Sequence, residues 1–264
     1  MHTMSRREAM GLGAAAAAAS IGLVDAAQKA ADSRLLRLDA RPGTLALDPA
    51  TTAVVVIDMQ NDFGSKGGMF DRAGIDISGI RRVVAPIANV LSVARKSDMH
   101  VIYLKMAFLP DLSDMGAADS VNRVRHLALG VGREVTAPDG RPSRILVRET
   151  WNSDIVSELT PRAADTVIYK SRFSGFYKTD LDARLKTLGI RHLVVVGCTT
   201  SICVESTVRD AMFRDYHCVL LEDCMDEPIG HDFARSNHAA SLLSVQTLLG
   251  SVSDSIAFSR VAKT

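Results

Sequence analysis

Three residues far apart in the chain, Asp58, Lys170 and Cys203, are of the types that together perform acyl transfer. A free thiol has a pKa of about 8.5 and needs activation to attack a carbonyl at neutral pH. If Cys203 sits in the first turn of a helix, the unpaired backbone N–H groups and the helix dipole are expected to lower that pKa. Lys170 as an ammonium would add a second favourable charge. Asp58 can take the thiol proton and return it to the leaving group. The turn before Cys203 offers backbone N–H donors, those of Thr199 and Cys203, as an oxyanion hole. Singly, each residue has a plainer reading: the Asp as a turn former or cap, the Lys as a solvated charge, the Cys as a small packed residue. Their coincidence at three strand ends favours the chemical reading.

The elements that must position them follow from hydrophobic patterning. Val54-Val55-Val56-Ile57 is a continuous β-branched run ending at Asp58, as in a strand buried on both faces of a parallel sheet. Residues 80–96 have helical periodicity, and Val101-Ile102-Tyr103-Leu104 reads as a second strand. Residues 166–169 form a short strand ending at Lys170. Residues 181–188 form a helix with Gly189 as its C-terminal stop. Leu193-Val194-Val195-Val196 is a strand that reaches Cys203 through the turn Gly197-Cys198-Thr199-Thr200-Ser201-Ile202. A helix over 203–213, a strand over 218–221 and a final helix over 234–248 complete the alternation. This predicts an α/β fold, a three-layer α/β/α sandwich on a mostly parallel, Rossmann-like sheet of about six strands. Ligands in such sheets bind beyond the carboxyl ends of the strands, where all three residues fall.

Residues 108–150 break the rhythm and read as an irregular insertion, either an active-site lid and binding loop or a plain loop. Asn122, Arg123 and Arg125 lie in it as candidates for a polar substrate end, with a solvated loop as the alternative. Trp151, the sole tryptophan, is a candidate pocket wall or a packing residue.

With 31 basic against 30 acidic residues, no global field favours nucleic acid or an anionic membrane, and aromatics at 5% argue against a base-stacking platform. The expected partner is a small-molecule substrate. Residues 1–30 read as an export leader of the twin-arginine type: the arginine pair in Ser5-Arg6-Arg7-Glu8-Ala9-Met10 precedes an Ala/Gly-rich apolar stretch over 10–24, with a cleavage position after Ala26. The stretch is shorter than the roughly 20 apolar residues that span a bilayer. The alternative is an Ala-rich helix that stays attached. Residues 31–264 would then be one domain, periplasmic or otherwise exported, with no stable membrane association after cleavage. The four cysteines, Cys198, Cys203, Cys218 and Cys224, form no dense framework and no zinc pattern. A Cys218–Cys224 bridge is the one pairing weighed against free thiols.

Val55-Val56-Ile57-Asp58-Met59-Gln60-Asn61-Asp62-Phe63, Lys170 with Arg172-Phe173-Ser174-Gly175-Phe176, and Gly197 through Thr207 (GCTTSICVEST) occur in that order. In this the chain resembles the isochorismatase-like cysteine hydrolases, over residues 52–258. The resemblance implies an Asp58–Lys170–Cys203 triad, hydrolysis of a C–N bond through a Cys203 thioester, no organic cofactor and a homo-oligomer. It also implies a non-proline cis peptide at Cys198–Thr199. Arg191-His192-Leu193 and Leu221-Glu222-Asp223 point to the ureidoacrylate amidohydrolase and biuret hydrolase branch. That branch has an Asn and a Trp where this chain has Met106 and Phe108, and a Tyr where it has Phe173. These departures imply a pocket suited to a less polar amide, urea or carbamate. The Asp-x-His…His metal site of the family's nicotinamidases is not matched, since Asp111 is followed by Leu112 and Ser113 and His126 has no second histidine, so no metal is expected.

The leader has its own test. Replacing Arg6 and Arg7 by lysine should hold the precursor in the cytoplasm on cell fractionation; undiminished export would refute a twin-arginine signal.

Overall fold

The computed structural model describes residues 35–230 and 232–262; the leader expected over residues 1–30 lies outside them. In chain order the elements are β1 (Leu36–Leu38), β2 (Leu45–Leu47), β3 (Thr52–Ile57), α1 (Asn61–Gly64), α2 (Met69–Arg72), α3 (Ser78–Lys96) and β4 (His100–Met106). Then come α4 (Val121–Ala128), β5 (Glu134–Thr136), β6 (Pro142–Arg144), β7 (Thr166–Lys170), α5 (Leu181–Thr187) and β8 (His192–Cys198). The chain closes with α6 (Glu205–Met212), β9 (His217–Asp226), α7 (Asn237–Ser244), β10 (Ser251–Ser253) and α8 (Ser255–Val261).

Six strands form one sheet in the order β10-β9-β8-β3-β4-β7, every neighbouring pair parallel. This is the predicted α/β/α architecture. The strand order runs outward from β3 to β7 on one side and from β8 to β10 on the other, so the direction of winding reverses between β3 and β8. The carboxyl edge at such a reversal is the usual ligand position in open parallel sheets.

The unbroken β-branched runs are explained by burial on both faces. Val54, Val56, Tyr103, Val194 and Val196 pack beneath α3 and α8 with Ile80, Ile87, Leu91 and Phe258. Their alternates Val55, Ile57, Leu104 and Val195 pack on the other face with Leu181, Leu185 and Val208 of α5 and α6. No helix among the described residues is long and apolar enough to cross a membrane. All four cysteines are free, so Cys218 and Cys224 are not bridged.

Several expectations need correction. Residues 108–150 are not irregular throughout: they hold α4 and the antiparallel hairpin β5–β6. Ser120 caps α4, its Oγ accepting from Arg123 N. Buried Asp62 anchors the region, since its carboxylate accepts from Met69 N and Asn152 Nδ2 on one oxygen and from Leu146 N on the other. Burial pushes that carboxyl up to about 7, against the pull of these donors. Tertiary hydrogen bonds, invisible to periodicity, order this segment.

The helix expected over 234–248 is also not the last element. It starts at Asn237, widens to π geometry over Val245–Leu249, and is followed by β10 and by α8, whose Asp254 cap accepts from Ala257 N. A three-residue strand flanked by serines carries too little pattern to be read. The strand over 218–221 extends to Asp226 despite its polar Glu222 and Asp223.

One glycine is dictated by the sheet itself. Gly197 in β8 faces Ile57 of β3 at a φ of 121°, and a Cβ there would lie 2.0 Å from Ile57 O. Neither the backbone angle nor the strand spacing admits a side chain. Gly197→Ala should lower stability by about 3 kcal/mol or more in urea unfolding; wild-type stability would show that the two strands can part at little cost.

Candidate active site

Register brings the three reactive residues together. Ile57 pairs with Leu104 on one side and Gly197 on the other, while Met106 pairs with Lys170. Asp58 therefore emerges at the switch point, in left-handed backbone at a φ of 52°, a conformation that Asp tolerates better than most residues. Its N–H prolongs the sheet by donating to Leu104 O at 2.9 Å. Lys170 ends β7, two strands away, and its side chain crosses Met106 to reach Asp58. Lys170 Nζ donates to Asp58 Oδ2 at 2.7 Å, lies 3.8 Å from Met106 Sδ, and donates to Arg172 O at 3.3 Å. Both side chains of the pair are sealed from solvent.

The other Asp58 oxygen accepts from Met106 N at 2.9 Å, a donor it shares with Gln60 Oε1. Gln60 Nε2 in turn donates to Met106 O and Ser153 O, locking the end of β4 against the start of α1. Sequence patterning does not single out Gln60; its total burial as a polar side chain is a structural signal. Cys198 Sγ donates to Asp58 O at 3.2 Å, tying the β8 end to β3, and the Cys198–Thr199 peptide is cis, as the resemblance implies.

Cys203 does not open a regular α-helix. Thr199 O accepts from Ile202 N and also from Val204 N, five residues on, so Thr200–Val204 form a wide π turn from which α6 continues. The turn is braced from outside. Ser201 N and Oγ both donate to buried Glu227, Thr200 Oγ1 bonds His238 Nδ1 at 2.9 Å, and Thr207 Oγ1 donates to Cys203 O. Cys203 Sγ lies close enough to Asp58 and Lys170 for both to bear on its ionisation.

The electrostatics differ from the expectation of a lowered thiol pKa. Burial foremost, then the Asp58 carboxylate, push the Cys203 thiol well above its ordinary value, with Lys170 pulling the other way. The reason is charge balance. The Lys170 ammonium and Asp58 carboxylate already neutralise each other, and a thiolate would be a third charge in a dry site without a counter-ion. Burial also works against the Lys170 ammonium, but Asp58 and Cys203 outweigh it and raise the lysine above its usual range. The resting site thus holds an ion pair beside a neutral thiol, so an attack by Cys203 would require a base, for which Asp58 is the candidate, to take the thiol proton as the S–C bond forms.

The remaining candidates separate. Met106 touches the ion pair. Phe108 is fully buried and Phe173 is 40% exposed, and each ring meets the imidazole of His126. Asn122 is occupied structurally: its Nδ2 donates to Met115 O and its carbonyl accepts from His126. Trp151 lines a different cavity, of about 1280 Å³, together with Asn61, Lys105 and Asp154, and none of the three reactive residues borders it. Among the described residues no cluster of three His, Cys, Asp or Glu side chains could hold a metal ion.

The isochorismatase domain model matches residues 52–256. The ureidoacrylate amidohydrolase RutB of Caulobacter segnis is 40% identical over 221 residues, covering 84% of this chain and 90% of the relative. The crystal structure of a cysteine hydrolase from Pseudomonas syringae superposes with a TM-score of 0.69 at 27% identity, covering 87% of this chain and 97% of that one. An N-carbamoylsarcosine amidase from Thermoplasma acidophilum gives 0.56 at 26% identity, covering 78% and 96%.

The ion pair makes a stability prediction. Lys170→Ala strands Asp58 in a dry site and should cost about 3–5 kcal/mol in chemical denaturation. Adding Asp58→Asn should recover part of that loss without restoring activity. A single variant as stable as the wild type would mean that the pair is not desolvated.

Proposed function

The chain belongs to the isochorismatase family, and on that premise we propose that it is a cysteine amidohydrolase cleaving a C–N bond of a small amide, ureide or carbamate. The observation that carries the reading is the sealed Lys170–Asp58 pair at 2.7 Å, with the Cys203 thiol buried where both partners act on it. The names of RutB and of the N-carbamoylsarcosine amidase support the substrate class.

In the first half-reaction, Cys203 Sγ attacks the substrate carbonyl as its proton passes to Asp58. The Lys170 ammonium offsets the negative charge that gathers on sulfur, and the N–H groups of Thr199 and Cys203 receive the oxyanion. Asp58 then hands the proton to the departing nitrogen. The C–N bond breaks, an amine or ammonia leaves, and an acyl thioester remains on Cys203. In the second half, water gives a proton to Asp58 and adds to the thioester. Collapse releases the acid, and Asp58 returns the proton to sulfur. The carboxylate ends as it began, and no redox partner is needed.

Met106, Phe108 and Phe173 give the approach an apolar character, which favours a less polar acyl group than a ureido acid. The proposal includes export of the precursor through the leader at residues 1–30, and assembly as a homo-oligomer, which rests on the family resemblance.

Ammonia release across primary amides, ureas, biuret-like compounds and carbamates is the direct assay. Cys203→Ala should lower kcat at least about 10⁴-fold. Intact-mass analysis of rapidly quenched wild type should show one acyl adduct that the variant lacks. Undiminished hydrolysis by Cys203→Ala would remove the cysteine from the chemistry.

A further inference from the structure

His126 lies beside the reactive residues without belonging to them. Its imidazole is 94% removed from solvent by packing, leaving 6% exposed, and its Nδ1 sits 2.6 Å from Asn122 O on the preceding turn of α4. A carbonyl can only accept, so Nδ1 carries the proton, and in the neutral ring Nε2 is left as an acceptor lone pair. Nε2 makes no hydrogen bond among the described residues, and the residue keeps a small exposure of 6%. Burial foremost, with the Lys170 and Arg172 cations adding to it, holds the imidazole below its ordinary pKa, which keeps the lone pair free at neutral pH.

The ring is held in place from two sides. Phe108 meets it edge-on at 5.2 Å and Phe173 lies tilted at 5.8 Å. Both phenylalanines are tethered to atoms that contact the Lys170 ammonium. Phe108 stands two residues after Met106, whose Sδ is 3.8 Å from Nζ, and Phe173 follows Arg172, whose carbonyl accepts from Nζ. The imidazole therefore sits between residues that neighbour the Lys170 contacts and the partly exposed Phe173. A fixed acceptor beside two apolar faces matches a planar group that carries N–H donors on its edge.

We propose that His126 is a substrate-binding residue whose Nε2 accepts a hydrogen bond from an N–H at the end of a planar ureide or biuret-like substrate remote from the scissile carbonyl. This rests on the amidohydrolase reading and narrows it to substrates with a second N–H-bearing group, since a site with a preset acceptor disfavours an analogue without the donor. Asn122 acts through this residue, its carbonyl fixing the tautomer.

The test compares the panel member that wild type hydrolyses fastest with its analogue N,N-dimethylated at the remote end. Wild type should prefer the N–H substrate by about tenfold or more in kcat/KM. His126→Phe, which keeps an aromatic ring in the same packing, should erase most of that preference by raising KM for the N–H substrate alone. His126→Gln, which keeps an acceptor, should preserve it. Thermal melting checks that both variants are folded. A His126→Phe enzyme with wild-type preference, or a folded variant losing both substrates equally, would overturn the assignment, as would a wild-type enzyme favouring amides with no remote N–H. Wild type that hydrolyses nothing on the panel would overturn the amidohydrolase reading itself, and this inference with it.

Discussion

The sealed ion pair between Lys170 and Asp58 is the constraint on which the carboxyl edge of the sheet depends. Two opposite charges withdrawn from water attract strongly but lose their hydration, so the pair persists only where its remaining valences are met. Here they are. Asp58 takes a second donor from Met106 N, and Lys170 finds Arg172 O and the Met106 sulfur. Gln60 then fixes Met106 from both its N–H and its carbonyl. The pair thus specifies how the ends of β3, β4 and β7 sit relative to one another, to the precision that proton transfer demands.

The same pair decides how the thiol works. Because the two charges cancel, the site has no surplus positive field with which to ionise Cys203 in advance. In the proposed mechanism activation is instead coupled to attack, through a carboxylate that receives and returns one proton. Glu227 and His238 hold the π turn by its Ser201 and Thr200 side chains rather than by the cysteine, leaving Sγ unencumbered.

What could be read from the sequence divides along a physical line. The strands at Val54–Ile57 and Leu193–Val196 were legible because burial on both sheet faces demands an unbroken β-branched run, and their ends located Asp58 and Cys203 at one edge. Lys170 was legible from the short apolar run over 166–169 that it ends, although β7 is the edge strand and Val167 is exposed. The 108–150 region was not, because α4 and the β5–β6 hairpin owe their order to Asp62, Asn152 and Leu146, contacts made across the fold. The thiol's protonation state was also out of reach: helix position alone predicts a lowered pKa, and only full burial beside a compensated ion pair reverses it.

That long-range order gives the insertion a role a bare loop could not fill. Asp62 lies four residues after Asp58, and by binding Leu146 N it fastens the insertion to the same α1 segment that Gln60 ties to the ion pair. Phe108 extends the attachment, exchanging backbone hydrogen bonds with Leu146 and Arg148. Arg172, from the loop after Lys170, donates to Asp114 O and closes the circuit from the other side. The wall that would meet the substrate in the proposed function is therefore referenced to the candidate reactive groups through backbone hydrogen bonds and the buried Asp62 carboxylate. Substitutions at its surface can retune which acyl group is accepted while leaving the reacting atoms where the sheet puts them, because the contacts that fix the triad lie below that wall rather than in it.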